Sequence, residues 1–126
     1  MMERSDKLLP WQWKLYPDNH AARRNLMLHV VAVPVFQLGT VGLVLAPFTS
    51  LAWAVGGAVA MAGAMALQGK GHRMERVAPV PFRGPWDAVS RIFVEQWVTF
   101  PRFVLSGGLS RAWRETGRAT PPQSAS

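Results

Sequence analysis

Three histidines are the residues of this sequence best suited to chemistry: His20, His29 and His72. Glu75 follows His72 by three residues, so a continuing helix would place both side chains on one face. The sequence has no cysteine, which excludes disulfides, thiolate metal sites and cysteine nucleophiles. Three imidazoles and a carboxylate are a ligand set for iron or zinc, and open coordination positions would suit a non-haem Fe(II) oxygenase. Because this spacing has no widely recognised metal signature, the prediction depends on a fold that brings these residues together.

Two long apolar segments between residues 25 and 69 must position the histidines. This stretch contains no Lys, Arg, Asp or Glu. Its apolar runs, 26–45 and 48–67, are each close to the roughly 20 residues that cross a bilayer as a helix. Only Ala46-Pro47 separates the runs, which leaves room for a tight turn. The sequence therefore predicts an all-α membrane protein with a two-helix transmembrane hairpin. The alternative is a pair of buried helices in a soluble bundle.

The placement of charge predicts the orientation of this hairpin. The chain carries 14 Lys and Arg against 7 Asp and Glu, a formal net charge of +7. Five basic residues precede the hairpin, nine follow it, and the turn carries none. The positive-inside rule then places both termini in the cytoplasm, in what we expect to be a bacterial inner membrane. Because the basic residues flank the membrane as topology determinants would, the charge does not indicate a nucleic-acid partner.

The hairpin topology brings the three histidines to one side of the membrane. His20 precedes the first span, His29 lies about one turn inside it, and His72 ends the second span on the same side. The sequence therefore predicts one layer of histidines near the cytoplasmic headgroups, either a metal site or a polar cluster at the helix ends. Asn25, four residues before His29, either orients that imidazole or simply begins the helix.

The segments around the hairpin carry further signals. Trp and Tyr mixed with Lys in residues 8–16 predict an N-terminal interfacial segment, and Pro17-Asp18 predicts a helix start. Pro34 predicts a kink in the first span. Small residues four apart predict close helix packing along the second span, at Ala52, Gly56, Ala60 and Ala64. Residues 1–118 are predicted to form a single membrane-embedded helical domain, and 119–126 a disordered tail.

A C-terminal amphipathic helix in the membrane interface is predicted from residue 89 onward. Its apolar face comprises Ile92, Phe93, Trp97 and Phe100, and its polar face Arg91, Glu95 and Thr99. Charged residues in this segment argue against a third full span. The pattern assigns Glu95 to the solvated face, and contact with the histidine cluster is the alternative.

Two short elements of the sequence resemble the Mpo1-like (DUF962) family of membrane proteins. The first is His20-x4-Asn25-x3-His29. The second follows the hairpin as Gln68-x2-Gly71-His72, with Glu75 and Pro79 after it. The family pairs an H-x4-N-x3-H element with a Q-x-x-G-H-x3-E element, and the similarity covers about residues 16–82. In this chain the glutamate follows its histidine by three residues instead of four.

The resemblance implies an Fe(II)-dependent dioxygenase that removes one carbon from 2-hydroxy fatty acids at the membrane interface. It implies metal ligands at His20, His29 and His72, a catalytic carboxylate at Glu75, and supporting roles for Asn25 and Gln68. The substrate's carboxylate would be held by Arg24, Arg73 or Arg76, because a guanidinium fork matches a carboxylate. The acyl chain would lie among residues of the hairpin.

A second function, from a different class, also agrees with the sequence. The hairpin could be a non-catalytic subunit or scaffold that docks onto a larger membrane complex through its small-residue stripe and its interfacial helix. A two-span hairpin has little interior of its own, so self-association is expected in either case. An enzyme needs all three histidines, whereas a packing subunit tolerates their loss but not bulky residues at Gly56 or Ala60.

Overall fold

The computed structural model describes residues 7–118, and within this range every regular element is helical. The helices are α1 Leu8–Asn19, α2 Arg23–Leu45, α3 Leu51–His72, α4 Pro85–Val94, α5 Phe100–Leu105 and α6 Gly108–Arg118. A 3₁₀ turn, Ala46–Phe48, joins α2 to α3, and a π-helical segment, Glu95–Thr99, joins α4 to α5. The tail predicted for residues 119–126 lies outside the described range.

Helices α2 and α3 are long and apolar enough to cross a membrane. The candidate spans are Arg23–Phe48, with a mean hydropathy of 2.0, and Leu51–His72, with 1.5. Only 33% and 17% of their most apolar windows are buried within the protein. Large apolar side chains such as Leu38 stand outside, 72% exposed. Exposed apolar surface of this extent suggests contact with lipid, because the core helices of a soluble bundle bury their apolar side chains.

Glycines bring α2 and α3 into close contact near the turn that joins them. A Cβ on Gly57 would lie 2.5 Å from the carbonyl oxygen of Gly39, so the two backbones touch there. The prediction that Gly56 makes this contact is wrong, because a Cβ at Gly56 would meet nothing within 4 Å. At 3.6 residues per turn the contact face can be continued three or four residues away, and here the close contact is made by Gly57, three residues before Ala60. Ala60 and Ala64 of the predicted stripe do lie against α2: a Cβ on Gly39 would be 3.2 Å from the Cβ of Ala60, and Ala64 clusters with buried residues of α2.

The N-terminal segment is a helix that packs on the rest of the chain. The predicted helix start at Pro17-Asp18 is wrong, because Pro17 lies in the last turn of α1 and the next helix begins at Arg23. Burial of Trp11 and Tyr16, 5% and 2% exposed, explains this extent, since tertiary packing overrides the local proline signal. Helix α2 likewise continues through Pro34.

The segment from α4 to α5 turns a polar side toward α1, contrary to the predicted faces. Glu95 and Thr99 are directed inward, whereas Phe93 and Trp97 are 36% and 43% exposed. The predicted faces assume that polar side chains point to solvent, whereas this polar side packs on α1, where Glu95 is bonded to Tyr16 and Thr99 to Gln12. Glu95 therefore keeps the helical phase of Arg91, and its burial follows from this polar contact with α1.

Candidate metal centre

Four side chains from separate elements converge at the end of the helix pair that lies away from its connecting turn. His20 follows α1, His29 lies in α2, His72 is the last residue of α3, and Glu95 begins the π-helical segment. Their possible ligand atoms all lie within 4.8 Å of one another. The structure thus brings together the three histidines, as the hairpin topology predicts. This group could hold a metal ion.

Backbone carbonyls fix the orientation of two of the imidazoles. Nδ1 of His20 lies 2.9 Å from the carbonyl oxygen of Tyr16, and Nδ1 of His29 lies 3.0 Å from that of Asn25. A carbonyl oxygen can only accept, so each Nδ1 donates its proton, and in the neutral imidazole the lone pair then lies on Nε2. Support of a metal-binding histidine by a carbonyl at its other ring nitrogen is the usual arrangement in metalloproteins.

The free Nε2 atoms and one carboxylate oxygen face each other at short range. Nε2 of His20 is 3.2 Å from Nε2 of His29, and Oε2 of Glu95 is 3.2 Å and 3.5 Å from these two atoms. Such a group of lone pairs repels itself unless a cation, either a metal or an added proton, lies among them. Metal–ligand bonds of about 2.1 Å place neighbouring ligand atoms about 3.0–3.4 Å apart. The observed spacing therefore fits a metal ion.

His72 closes a further side of the same group. Its ring centroid lies 4.8 Å from that of His20 and 5.0 Å from that of His29, with the rings nearly perpendicular. Its buried Nδ1 has no hydrogen-bond partner in the part of the chain that the structure describes. Buried polar atoms are normally paired, so this nitrogen fits the role of a ligand whose partner is a metal.

Tyr16 supports the carboxylate of Glu95. Its hydroxyl donates to Oε2 of Glu95 at 2.9 Å, and its ring stacks on His20 with a centroid distance of 3.7 Å. Burial alone would raise the pKa of Glu95, but contact with His20 and His29 lowers this pKa well below its usual range. Burial and the neighbouring carboxylate raise the pKa of Tyr16 well above its ordinary value. The site therefore pairs an anionic Glu95 with a protonated phenol.

The π-helical segment that presents Glu95 has a cause in the sequence. The N–H of Phe100 bonds to the carbonyl of Glu95, five residues earlier. The next bond of this pattern would need an N–H from Pro101, which has none. The side chain of Gln37 on α2 donates instead to the carbonyl oxygen of Gln96, at 2.8 Å. Proline and glutamine together stabilise a geometry that is often found at functional sites.

Gln68 holds this segment against α3. The side-chain amides of Gln68 and Gln96 exchange two hydrogen bonds, each 2.8 Å long, and both residues are buried. Gln68 was predicted to support the histidines, and its hydrogen bonds place it beside the residue that follows Glu95. It supports the carboxylate side of the centre.

Glu75 lies outside the histidine group. Helix α3 ends at His72, so the expectation of a helix that continues to Glu75 is wrong and the two side chains do not share a helical face. The Glu75 carboxylate instead accepts hydrogen bonds from the backbone N–H groups of Ala21 and Ala22, at 2.9 and 3.0 Å. A carboxylate at this position is stabilised by the partial positive charge at the N-terminus of α2. The carboxylate that faces the histidines is that of Glu95, which the pattern had assigned to the solvated face.

Asn25 connects the histidines to the loop that carries Glu75. Its carbonyl holds His29, while its side-chain amide donates to Glu75 at 2.6 Å. A Cβ on Gly71 would lie 2.1 Å from Oδ1 of Asn25, so only glycine fits beside it. These contacts give a physical reason for the spacing of the two sequence elements.

A cavity of 420 Å³ adjoins the centre. His20, His72 and Glu95 form part of its wall. Most of the remaining wall is apolar and includes Trp11, Leu15, Met65, Val80, Phe82 and Ile92. Its size and lining are those of a site for a small, largely apolar ligand.

Arg91 is the cationic residue in the wall of this cavity. Its guanidinium lies over the rings of Trp11 and Phe82, 5.0 and 4.6 Å from their centroids, and donates to the carbonyl oxygen of Val80 at 2.8 Å. The predicted carboxylate-binding residues, Arg24, Arg73 and Arg76, are exposed and do not line the cavity. The spacing of Arg91 and Glu95, four residues apart, could have indicated this pair, but the sequence analysis assigned both to the polar face of an interfacial helix.

Comparison with known proteins identifies no relative of this chain. No family model matches this chain, and no curated protein or solved structure matches it. The resemblance to the Mpo1-like family therefore remains an expectation from short motifs. The chemistry of the metal centre and its cavity carries the functional conclusion.

Proposed function

We propose that this chain is a membrane-embedded, Fe(II)-dependent dioxygenase of the Mpo1-like kind that removes one carbon from 2-hydroxy fatty acids. The observation that carries the proposal is the convergence of the His20 and His29 Nε2 atoms on the Glu95 carboxylate, at the wall of an apolar cavity. Imidazole and carboxylate ligands with open positions favour non-haem Fe(II) over closed structural zinc. Bound there, Fe(II) would supply the activation of O₂.

The membrane placement belongs to the same proposal. Helices α2 and α3 form a transmembrane hairpin with both termini in the cytoplasm, and α4 to α5 lie in the interface. The exposed apolar side chains of both helices support it, as does the position of Arg23, Arg24 and Lys70 at the end that carries the histidines. The metal centre then lies at headgroup depth, where a fatty acid presents its carboxylate.

The cavity wall supplies what a 2-hydroxy fatty acid requires. Its acyl chain would lie against Leu15, Met65 and Ile92, which are apolar and face the same space. Arg91 would attract the carboxylate toward the end of the cavity that His20, His72 and Glu95 form. The guanidinium is held by two aromatic rings, by the carbonyls of Val80 and Pro81 and by an ion pair with Asp87 at 3.4 Å, so little ordering is needed when an anion binds.

The protein's own groups orient the metal ligands and exclude water. The carbonyls of Tyr16 and Asn25 direct the Nε2 atoms of His20 and His29 toward the centre, and the phenol of Tyr16 keeps a proton at the cavity wall. Trp11 and Phe82 reduce access of water to the reacting carbon. The overall reaction balances when the 2-hydroxy acid and O₂ give a fatty acid one carbon shorter, CO₂ and water.

Oxygen uptake with matched acids tests this function. The iron-loaded protein in lipid nanodiscs is given 2-hydroxyhexadecanoic acid, and hexadecanoic acid serves as the control that lacks the hydroxyl. We expect O₂ consumption and pentadecanoic acid with the first substrate only, and neither product nor uptake with a His72→Ala variant. An iron-loaded wild-type protein that consumes no O₂ with 2-hydroxy acids would contradict the proposal and favour the non-catalytic hairpin subunit.

A further inference from the structure

A second cavity, of 530 Å³, lies between α2 and α6 and shares no lining residue with the cavity at the metal centre. We call it the α2–α6 groove, and it is lined by Met27, Val30, Val31, Leu109, Ser110, Trp113 and Arg114. Its long side, on α2, is apolar and exposed: Met27 is 55% and Val31 59% accessible. Nothing in the proposed dioxygenase function uses this groove.

Arg23 fixes α6 against α2 and so builds the groove. Its guanidinium lies 4.2 Å from the centroid of the Trp113 ring, and it donates to the Trp113 carbonyl at 3.0 Å. Its Nε donates to the hydroxyl of Thr116 at 2.9 Å. The indole of Trp113 is thereby held at the edge of the groove, at the depth where tryptophan favours a membrane interface.

Arg114 lines the groove, Arg24 lies one turn before Met27 on α2, and neither has a counter-charge among the described residues. Among the described residues, neither Arg24 nor Arg114 has a hydrogen bond, an ion pair or a ring contact. Arg24 precedes Met27 by three residues and Val31 by seven, so all three lie on one side of α2. The hydroxyl of Ser110 lies one helical turn from Arg114. An apolar groove with a cationic, hydrogen-bonding end complements a chain that carries a phosphate.

We propose that the α2–α6 groove binds one anionic phospholipid. Its phosphate contacts Arg114, Ser110 and Arg24, and one acyl chain follows Met27 and Val31 along α2. A net negative headgroup is favoured because the chain has a formal net charge of +7. The same charge opposes a second copy of this chain on the basic end of the groove. The inference rests on the membrane placement of α2 in the proposed function and not on its iron chemistry.

Native mass spectrometry of protein released from nanodiscs tests the site. The nanodiscs contain equal amounts of phosphatidylglycerol and phosphatidylcholine. We expect the wild-type protein to retain one phosphatidylglycerol in preference to phosphatidylcholine. An Arg114→Gln variant should retain about fivefold less of it, the change expected for one arginine at an anionic membrane surface.

An Arg111→Gln variant is the matched control, because Arg111 lies three residues away on α6 and lines a different crevice. It should retain the lipid as the wild type does. Val31→Trp fills the apolar end of the groove and leaves both arginines in place, so it should also lose the lipid. Equal retention of the two lipids, equal loss in both arginine variants, or a protein dimer without lipid that Arg114→Gln dissociates would overturn the proposal. The iron content of the same samples reports on the dioxygenase proposal separately.

Discussion

The two ends of the long helix pair solve the same packing problem with different chemistry. Near the connecting turn, Gly39 and Gly57 bring the two backbones into direct contact without a hydrogen-bonding side chain between them. At the opposite end, Gly71 makes room for the side chain of Asn25, which carries polar contacts toward His29 and Glu75. Glycine thus serves backbone contact at one end and a buried polar network at the other.

This difference separates stability from chemistry along α3. Removal of a glycine near the turn should separate the helices, whereas removal of a polar group at the far end should alter the metal centre within a folded protein. Variants at the two ends of the helix pair test whether folding and metal binding respond separately, and the largest effect is expected near the turn.

The largest effect is expected at Gly57. A leucine there must displace the backbone of Gly39, because even a Cβ would lie 2.5 Å from its carbonyl oxygen. We expect Gly57→Leu to yield no folded, monodisperse protein in mild detergent, as judged by size exclusion and circular dichroism. Gly56→Leu is the control, since a Cβ at Gly56 meets nothing within 4 Å, and it should behave as the wild type. Equal damage from both substitutions would show that this contact does not hold the helices together.

The next effect concerns which carboxylate belongs to the metal centre. We expect Glu95→Gln to weaken Fe(II) binding by about 100-fold or more, since changes outside the ligands already cost about 10–100-fold. Glu75→Gln should leave metal binding within a few fold and lower the thermal midpoint, because it weakens the contacts to Ala21 and Ala22. Anaerobic titration with Fe(II) and thermal unfolding measure the two properties. If Glu75→Gln abolished Fe(II) binding and Glu95→Gln did not, Glu75 would be the carboxylate of the metal centre.

A smaller effect is expected from the amide pair of Gln68 and Gln96. Gln68→Leu leaves a buried amide unpaired, which costs about 1–3 kcal/mol. The double variant Gln68→Leu, Gln96→Leu removes both amides and should regain part of that loss. Thermal unfolding of the four proteins gives the coupling between the two positions. Strictly additive losses would mean that the two amides do not depend on each other.

The smallest effect is expected at Tyr16. Tyr16→Phe keeps the stacking on His20 and removes the hydrogen bond to Glu95. Iron content and fold should be unchanged, while the rate of O₂ uptake should fall by about tenfold, since about 1.5 kcal/mol is the lower end for a hydrogen bond to a charged group. Loss of iron in this variant would show instead that the phenol is needed to keep Glu95 in place.

Composition and topology were enough to anticipate the main features of the fold and the histidines. Two long uncharged segments joined by a short turn predict two long helices, and a chain that returns to its starting side brings His20, His29 and His72 together. These inferences need only the length and polarity of segments. They do not depend on which face of a helix a side chain occupies.

The features that sequence reasoning missed all depend on helical phase or on distant contacts. Glu95 was assigned to the solvated side because polar side chains were taken to face water, whereas its partners Tyr16, His20 and His29 lie far away in the sequence. Gly57 was missed because the small-residue pattern was read with a spacing of four. The position of Arg91 in the cavity wall depends on Val80 and Pro81, in a loop that local patterns cannot place.

Metal content is the most direct test of the central claim, that the three histidines and Glu95 hold iron. The protein is purified anaerobically in mild detergent, beside a His29→Ala, His72→Ala double variant whose circular dichroism confirms that it is folded. We predict about one iron per wild-type chain, as a single centre of four ligands requires, and none in the variant. Absence of metal from both proteins after Fe(II) is supplied, or equal metal in both, would contradict the account.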